Sequence, residues 1–472
     1  MITILIMVAM SMVVWTGSAY FFTMLFLGVR HLRRQKVSLG YQASLGYGRP
    51  HLGRKDDFFV YFLVPCLNEE RVIGNTVRGL TGHEAAHVVV VDDGSDDRTG
   101  AAANEAGGGA VTVLRRDLPE ARQGKGEALN AGLDLIRRMV ADSGQDPEYV
   151  LVCVMDADGH LTDGSVKHVA RQFDDARVGA VQLAVRIRNR DSYLARVQDF
   201  YFWAIAAMTQ FGRVGLGTVS LGGNGQFSRL TALDEMGEKP WSKCLTEDLD
   251  LTISLVLAGW RTSSTPHAAV SQQAVHMIEP LIRQRTRWYQ GHMSCGRRLP
   301  QIWNSRKLTH GQATELCMYL LVPWILDLPW SVLWQIALLN FVGNVPAYFV
   351  TDSGPLSLVA SILFWYVLSF GPALVAGVLQ KRRSPDTSWL RSMLLGHSFV
   401  VMNYLFFLCV WKALFAMRAG KTTWEKTARV HEDAAVPAQP HARPALDEIA
   451  APVPVAQFRV DEERDGSLQG AE

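Results

Sequence analysis

Four stretches of this sequence contain no Asp, Glu, Lys or Arg, and they restrict what the chain can fold into more than any other feature. The four stretches are Met1–Val29, Leu328–Thr351, Pro355–Gln380 and Ser392–Trp411. Each has about 20 residues or more, which is the length that an α-helix needs to cross the hydrocarbon core of a bilayer. The sequence therefore predicts an integral membrane protein, with one transmembrane helix over residues 1–29 and about three in the C-terminal region 313–416.

Positive charges indicate how these helices are oriented. No basic n-region precedes the first apolar stretch, and a basic group at residues 30–36 follows it, which favours an uncleaved anchor with a cytoplasmic C-terminal side over a signal peptide. For the C-terminal helices the charges conflict. Four crossings keep residues 381–383 inside but leave the basic start of the tail outside, and a hairpin at residues 316–351 reverses the problem. A re-entrant last segment would place residues 381–383 and the basic start of the tail both inside. Of these arrangements, we favour four crossings.

The polar part of the chain lies between the anchor and the C-terminal helices. A basic collar and linker spans residues 30–56, and residues 57–275 alternate short apolar runs with amphipathic stretches, the pattern of βαβ units on a parallel sheet. Residues 276–312 are basic and amphipathic, as expected of helices at a cytoplasmic membrane surface. Residues 417–472 begin basic and then become rich in Ala, Pro and charge, which predicts a disordered tail.

Composition speaks against several other classes of protein. The net charge is only +2 and no basic-aromatic patch occurs, so the sequence gives no indication of nucleic-acid binding. The 6 cysteines are scattered and form no CxxC pair. They predict free thiols in a reducing compartment rather than disulfides or a zinc site.

Two carboxylates end an apolar run in the polar region. Val150–Met155 is short and rich in β-branched residues, which predicts a strand buried on both faces in a parallel sheet. Asp156 and Asp158 then fall at the carboxyl end of this strand, where open α/β sheets bind ligands. In an extended segment residues i and i+2 point the same way, so both carboxylates can face one hard cation. A solvated acidic turn closed by Gly159 is the alternative for such a pair in isolation.

Further motifs occur in a fixed order around this pair. They are Val64–Glu70 (VPCLNEE), Val91–Ser95 (VDDGS), Gly124–Asn130 (GKGEALN), Asp156–Asp158 (DAD), Thr246–Asp248 (TED) and Gln284–Trp288 (QRTRW). Each is weak alone, because short motifs occur by chance. Together, between membrane segments, they resemble the processive membrane-integrated glycosyltransferases of family 2, which include cellulose, chitin, hyaluronan and poly-N-acetylglucosamine synthases.

The resemblance covers residues 55–300 in detail and implies a fold, a cofactor and site residues. It implies an α/β GT-A catalytic domain inserted between transmembrane α-helices, a nucleotide-sugar donor, Mg²⁺ or Mn²⁺ as cofactor, and inversion at the anomeric carbon. The implied roles are Asp93, Glu69 and Lys125 in donor binding with Asp93 at the uridine; Asp156 and Asp158 at the metal, Asp158 more directly; Asp248 as catalytic base beside Glu247; Gln284, Arg285 and Arg287 at the diphosphate; and Trp288, Gly223 and Asn224 at the acceptor. The segment around Gly223 matches relatives in character rather than in letters.

The chemistry of such a transfer accounts for these residue types. A leaving diphosphate is neutralised by a divalent cation and by planar arginine contacts. Inverting transfer needs one carboxylate to take a proton from the acceptor hydroxyl. Thr246 is expected to be the N-cap of a helix, so that the helix dipole favours the ionised form of Asp248. The alternatives are that Glu247 and Asp248 only decorate a helix start, and that Trp288 only anchors the membrane interface.

These observations predict an enzyme at a bacterial plasma membrane with its catalytic domain in the cytoplasm. The expected reaction extends a β-linked polysaccharide from a UDP-sugar, with a mild preference for UDP-N-acetylglucosamine, and passes the chain through the membrane helices. Expected partners are the UDP-sugar donor, the polysaccharide acceptor and membrane lipids, with room for accessory secretion partners. One alternative is a transferase that adds a single sugar to a polyprenyl phosphate or other lipid, which QRTRW disfavours. A second is a non-catalytic, polymer-binding membrane protein.

Overall fold

The computed structural model describes residues 2–44, 58–350 and 354–420. Most of the predicted linker and tail, residues 45–57 and 421–472, lie outside this description. The strands are β1 Phe59–Cys66, β2 Ala86–Asp92, β3 Val111–Arg115, β4 Val150–Val154, β5 His160–Leu161, β6 Val178–Gln182, β7 Ala184–Ile187, β8 Gln226–Arg229, β9 Arg261–Ser263 and β10 Ala269–Gln272. The helices are α1 Ile2–Ser44, α2 Ile73–Thr81, α3 Thr99–Gly107, α4 Lys125–Ser143, α5 Ser165–Ala170, α6 Tyr193–Phe200, α7 Ala207–Arg213, α8 Leu230–Glu235, α9 Glu247–Ala258, α10 Ile278–Cys295, α11 Leu299–Trp303, α12 His310–Leu321, α13 Leu328–Asn344, α14 Gly354–Arg383 and α15 Trp389–Arg418.

The main sheet has seven strands in the order β3-β2-β1-β4-β8-β6-β9. Strands β1 to β4 are mutually parallel where they pair, and β8 runs antiparallel to both β4 and β6. The chain leaves β1 toward β2 and β3, then crosses back to lay β4 on the other side of β1. The carboxyl ends of β1 and β4 therefore flank a switch in strand order, which is where open α/β sheets form a ligand crevice.

Alternating side chains of β1 divide the core into two layers. Val60 and Phe62 pack with α2 and α3 on one face of the sheet, and Tyr61 and Leu63 pack with α4 on the other. A strand covered on both faces must be apolar at every position, which is why these segments are continuous runs of large apolar residues. The predicted buried strand before Asp156 is confirmed as β4, with all five of its residues buried.

The apolar pattern of residues 178–186 is typical of one strand, but these residues form parts of two, β6 and β7. The chain leaves the main sheet at Leu183, and β7 joins a small second sheet in the order β5-β10-β7. Leu183 still donates its backbone N–H to Gly225, so the strand bends rather than breaks. Periodicity alone does not distinguish one long strand from two that belong to different sheets.

Four helical segments within the described residues are long and apolar enough to cross a membrane: Val8–Gln35, His310–Asn344, Gly354–Arg383 and Trp389–Arg418. The second begins earlier than the charge-free run predicted, because α12 continues into α13 through a π-helical segment at Val322–Asp327. Pro323 lies in that segment. A π-turn absorbs the hydrogen bond that a proline cannot donate, so the helix continues instead of ending there.

Helix α1 crosses α7 at very short range through two glycines. A Cβ on Gly28 would lie 2.3 Å from the carbonyl oxygen of Met208, and one on Gly212 would lie 2.2 Å from that of Met24. No side chain fits at either position. Helix α1 and the domain are therefore packed backbone to backbone.

Candidate active site

The carboxyl edge of the sheet collects most of the predicted site residues. Asn68 and Glu69 follow β1, Asp93 follows β2, and Asp156 follows β4. Since β2 and β4 both pair with β1 in parallel register, these turns emerge side by side. The turns are also bonded to each other, because Asn68 N–H donates to Ser95 Oγ over 2.9 Å and Asp96 N–H donates to Asn68 Oδ1 over 2.7 Å.

Asp93 is held by basic residues that the sequence analysis did not identify. It is buried, its Oδ1 pairs with Arg116 over 2.5 Å, and its Oδ2 accepts the backbone N–H of Arg122 over 3.1 Å. Burial raises the pKa of Asp93, and the charge of Arg116 opposes that rise. Arg116 follows β3, the neighbour of β2, so its position at the same edge was the signal available from the sequence.

Asp156 and Asp158 have different surroundings. Lys125 Nζ donates to Asp156 Oδ1 over 2.9 Å, and the Asp156 side chain is partly exposed. Asp158 is almost fully buried, and its Oδ2 accepts the backbone N–H of Gln273 over 2.8 Å. Arg188 bonds to the Asp158 carbonyl, which fixes the turn. Asp156 thus points into the open site, while Asp158 is anchored to the second sheet beneath it.

The ammonium of Lys125 lies among carboxylates from two further elements. Glu247 Oε1 is 3.8 Å from Lys125 Nζ, and the carbonyl of Gly223 accepts from the same ammonium over 3.0 Å. A Cβ on Gly223 would lie 3.1 Å from Asp248 Oδ2, so the Asp248 carboxylate is adjacent as well. We call Lys125, Asp156, Glu247 and Asp248 the carboxylate cluster. It holds one ammonium against three carboxyl groups.

Asn224 supports this cluster from behind. Its Oδ1 accepts the backbone N–H of Asp156 over 3.2 Å, and its Nδ2 donates to Gln272 over 3.0 Å. Gln182 Nε2 donates to the Asn224 carbonyl over 2.7 Å. The side chain of Asn224 therefore fixes the turn that carries Asp156, while the neighbouring Gly223 faces the ammonium and Asp248.

Electrostatics of the cluster correct two sequence-based expectations. Helix α9 does begin at Glu247, but Thr246 makes no side-chain cap bond; its Oγ1 lies 3.7 Å from the sulfurs of both Cys244 and Cys295. Asp248 was expected to be ionised because of the helix dipole. Burial, followed by the charge of Glu247, instead raises its pKa to about 8, and Lys125 opposes the rise. Desolvation of a carboxylate outweighs the helix dipole here.

The pKa values of the neighbouring groups follow the same logic. Burial raises the pKa of Glu247, with the charges of Lys125 and Arg287 acting against it. Burial alone would lower the pKa of Lys125, but Asp156 and Glu247 together raise it above its usual value. Lys125 therefore stays charged. The carboxyl groups outnumber this one ammonium, and it is their pKa values that rise in favour of the neutral form.

Helix α10 directs its two predicted arginines to different surroundings. Residues two apart on a helix project about 200° apart, so one helix cannot point both at the same spot. Arg287 acts on the charge state of Glu247, which puts it on the side of the carboxylate cluster. Arg285 is buried, with its guanidinium carbon 4.5 Å from the ring centroids of both Tyr201 and Trp288. Gln284 is also buried.

A cavity of about 630 Å³ lies on the other side of α10, between the helices of the apolar segments. We call it the membrane-side cavity. Its polar lining includes Arg285, Tyr289 and Asp327. Most of the remaining lining is hydrocarbon or aromatic, including Val13, Phe21, Leu326, Trp330, Leu368 and Val400. Trp288 also lines it. Helix α10 thus separates the carboxylate cluster from an amphiphilic cavity.

The donor set of the site suits a hard divalent ion that also binds a substrate. Asp156 and Asp158 offer carboxylate oxygens at the strand edge, as Mg²⁺ and Mn²⁺ prefer. Among the described residues, no group of three or more His, Cys, Asp or Glu side chains is arranged to hold a metal. Mg²⁺ is commonly held by one or two carboxylates plus substrate phosphates, so the residues present fit an ion whose other ligands come from a diphosphate.

Comparisons with known proteins agree with this geometry. Residues 57–291 match the family described as "Glycosyltransferase like family 2". The beta-monoglucosyldiacylglycerol synthase of Trichormus variabilis is 30% identical over 245 residues, which are 49% of this chain and 48% of that protein. The poly-beta-1,6-N-acetyl-D-glucosamine synthase of Staphylococcus aureus is 24% identical over 237 residues, 49% of this chain and 54% of that protein. The chain spans about half the length of the curated relatives it matches.

Among solved structures, the mannosyltransferase PcManGT from Pyrobaculum calidifontis in complex with GDP-Man and Mn²⁺ is similar with a TM-score of 0.47 and 17% identity. That match covers 84% of this chain and 98% of the other. The predicted fold class is confirmed: a GT-A-like domain with a mixed sheet is flanked by helices long and apolar enough to span a membrane.

Proposed function

Residues 57–291 of this chain form a glycosyltransferase family 2 domain, and from this premise we propose that the protein is an inverting glycosyltransferase that moves a sugar from a UDP-sugar to an acceptor in the membrane. The supporting observation is the juxtaposition of the carboxylate cluster with the membrane-side cavity across a single helix. One side offers groups for a nucleotide diphosphate and a base, and the other offers room for an acceptor.

The donor occupies the crevice at the edge of β1, β2 and β4. Asp93 and Glu69 bind the uridine end, and Lys125 and Arg287 face the diphosphate. Asp156 and Asp158 hold Mg²⁺ or Mn²⁺ with the diphosphate, and the bound ion supplies Lewis-acid neutralisation of the leaving group. Lys125 donates to Asp156 in the described state, so donor binding redirects this ammonium toward a phosphate oxygen.

Asp248 acts as the base. The acceptor hydroxyl oxygen attacks the anomeric carbon while the bond from that carbon to the diphosphate breaks, and the proton passes to the Asp248 carboxylate. Attack opposite to the leaving group inverts the configuration. The charge of Glu247 raises the pKa of Asp248, and the charge of Lys125 lowers it. A base whose pKa lies near the working pH is well matched to proton transfer.

Of the two possible acceptors, the membrane-side cavity supports a membrane lipid better than a polysaccharide. Its walls are mostly hydrocarbon, and its polar groups Arg285, Tyr289 and Asp327 line the same space. An amphiphile with a hydroxyl-bearing head and acyl chains matches that distribution, because apolar walls favour apolar ligand surface. The diacylglycerol named in the 30% identical relatives belongs to this class. This reverses the order of the two acceptors that the sequence alone favoured.

Extension of a β-linked polysaccharide, coupled to its passage through the helices, is the second candidate. QRTRW lies beside the cavity, and the aromatic rings of Trp288, Trp330 and Tyr201 line it. Aromatic faces are suited to sugar rings. The poly-N-acetylglucosamine synthase relatives, at 24% identity, favour N-acetylglucosamine as the sugar in this case.

The deciding experiment measures UDP release by the full chain in nanodiscs. It uses UDP-glucose and UDP-N-acetylglucosamine, each with Mg²⁺, with Mn²⁺ or with a chelator, and each with and without diacylglycerol in the bilayer. A single sugar on the lipid, formed only with metal, supports the first candidate, and high-molecular-weight product without added lipid supports the second. Absence of UDP release from folded protein under every condition contradicts both.

The setting proposed for this reaction is a bacterial plasma membrane with the catalytic domain in the cytoplasm, where UDP-sugars are made. The four apolar helical segments support membrane insertion, and the basic residues 30–36 after the first support this orientation. A Leu118→Cys variant tests this orientation, because residue 118 is exposed on the domain. Labelling of this cysteine by a membrane-impermeant maleimide in intact cells would contradict a cytoplasmic domain.

A further inference from the structure

Two cysteines far apart in sequence meet beside the catalytic residues. The sulfur atoms of Cys244 and Cys295 are 3.8 Å apart. Cys244 is partly exposed, and Cys295 is fully buried behind it. Cys244 is therefore the more accessible cysteine of the two, and Cys295 is the more protected. This arrangement differs from the isolated buried thiols that the sequence predicted.

Each cysteine belongs to a different part of the proposed catalytic machinery. Cys244 lies two residues before Thr246, in the segment that leads into Glu247 and Asp248. Cys295 is the last residue of α10, which carries QRTRW. The two parts are already in close contact, because a Cβ on Gly291 of α10 would lie 2.7 Å from the backbone nitrogen of Thr246.

We propose that Cys244 and Cys295 form a reversible intrachain disulfide that ties the TED segment to α10 and lowers the rate of sugar transfer. The regulatory half of this inference rests on the proposed function. The bond itself does not, since it depends only on the two sulfur positions. The site is a modification site for a mild oxidant of the peroxide class.

The redox step balances with hydrogen peroxide as the oxidant. The Cys244 thiolate attacks one peroxide oxygen, the O–O bond breaks, and Cys244 becomes a sulfenic acid while water leaves after protonation. The Cys295 sulfur, giving up its proton, then attacks the Cys244 sulfur and expels the second water. Two thiols are oxidised by two electrons, and one peroxide is reduced to two waters.

The environment of Cys244 suits the first of these steps. A hydrogen bond from Cys295 lowers the pKa of Cys244 to about 6, against an opposing effect of burial. The thiolate is the reactive form of cysteine, so Cys244 is the attacking residue. Cys317 is the other partly exposed cysteine and serves as a comparison.

Bond formation must move the TED segment. A disulfide requires a sulfur separation of about 2.05 Å, so the sulfurs must close much of the present 3.8 Å. Thr246 Oγ1 lies 3.7 Å from each sulfur, and the backbone of Thr246 is already against Gly291. We therefore expect the approach to displace the segment that carries Asp248. A displacement of about 1 Å at a catalytic group costs on the order of a hundredfold in rate.

The bond is tested on the full chain in nanodiscs. Protein treated with hydrogen peroxide, then with a thiol-blocking reagent, is digested with trypsin and analysed by mass spectrometry without reduction. The expected product is peptide 244–261 linked to peptide 288–297, lost after dithiothreitol. Absence of this species while the same thiols become sulfinic acids, or appear unmodified, would overturn the proposal.

Activity is measured in the same samples. We expect oxidation to lower UDP release on the order of a hundredfold, dithiothreitol to restore it, and Cys295→Ala to abolish the response. Cys317→Ser is the matched control and keeps the response. Inhibition that persists in Cys295→Ala, or linked peptide with unchanged activity, would refute the regulatory role. If the linked peptide forms in a protein that is inactive in every state, the proposed function fails and the disulfide stands.

Discussion

Two groups of charged side chains in this molecule are built differently. In the carboxylate cluster, the single ammonium of Lys125 faces Asp156, Glu247 and Asp248. The second group joins the domain to the apolar helices: Arg213 on α7 pairs with Glu315 on α12 over 2.6 Å. Tyr20 of α1 donates to Glu315 over 3.0 Å.

The two groups differ in charge balance as well as in burial, since Lys125 and Asp156 are partly exposed. Arg213 and Glu315 are each only 3% exposed at the side chain, and each has one full partner of opposite sign. The guanidinium also stacks 3.8 Å from the ring centroid of Tyr319. Such a pair needs no ligand. The carboxylate cluster has more negative than positive charge, which raises the pKa of Asp248 and leaves room for a cation or a proton. Burial of charge alone does not identify an active site; an imbalance does.

The largest effect is expected from Asp248→Asn. Sugar transfer should fall on the order of a thousandfold, because loss of a general base costs 10²–10⁴ in rate. Stability at pH 7 should not fall, since burial makes ionisation of Asp248 unfavourable and the amide is neutral. UDP release and thermal unfolding of the same preparation measure both.

Asp250→Asn on the same helix is the matched control. Asp250 is buried but pairs with Arg298 over 3.0 Å, as in the balanced group. The Asp250→Asn variant should be less stable than wild type but should keep its rate of sugar transfer per folded molecule. An Asp248→Asn variant that retains full activity would remove the distinction between the two groups.

Glu315→Ala should have the opposite signature. It leaves Arg213 as an uncompensated buried charge, which costs about 3–5 kcal/mol of unfolding free energy. The rate per folded molecule should stay within a few-fold of wild type. Denaturant unfolding in detergent, with activity normalised to folded protein, checks this. The double variant Arg213→Met, Glu315→Met should recover much of the loss; if it does not, the pair has a role beyond balance.

The pH dependence of transfer should reveal the charge imbalance directly. Asp248 must be deprotonated to act as a base, and its pKa is raised to about 8. The rate should therefore rise about tenfold per pH unit below that value and level off above it. Lys125→Met removes a charge that lowers this pKa, so the rise should move to higher pH. A rate that is flat between pH 5 and pH 8 would contradict Asp248 as the titrating base.

The smallest effect concerns the two arginines of α10. Arg287→Lys should raise the KM for the UDP-sugar about tenfold, because a lysine cannot make a bidentate phosphate contact. Arg285→Lys should leave that KM unchanged and weaken use of the acceptor, since Arg285 lines the membrane-side cavity. Steady-state kinetics with each substrate varied in turn separate the two. Equal effects on the donor KM would mean that α10 serves one substrate only.

Much of the fold followed from the sequence because it depends on local patterns. The apolar runs at β1, β2 and β4 and the polar turns after them predicted the strand edge, and parallel pairing brought those turns together. What the sequence did not predict depends on contacts between distant segments. Arg116 beside Asp93, the pair of Cys244 and Cys295, and the aromatic surroundings of Arg285 all join residues that periodicity treats separately.

The ionisation of Asp248 was predicted wrongly for a related reason. A helix dipole can be inferred from a few adjacent letters, whereas desolvation depends on everything packed around the carboxyl. The same holds for the π-helical segment at Val322–Asp327, where Pro323 would ordinarily end a helix. The sequence identified Asp248 and Pro323 as notable residues. The protonation of the first and the helix geometry at the second depend on the packing around them.

The glycine crossing between α1 and α7 has a consequence for how the protein is made. Gly28 leaves the ribosome early, but the backbone it must touch, around Met208 and Gly212, is synthesised about 180 residues later. At roughly 5–20 residues per second, α1 is complete some ten to forty seconds before its partner exists. Since there is no room for a side chain at either crossing glycine, α1 and α7 can dock only while both positions stay free of one. A bulky substitution at either glycine should therefore first show as degradation of the chain by the cell's quality-control proteases.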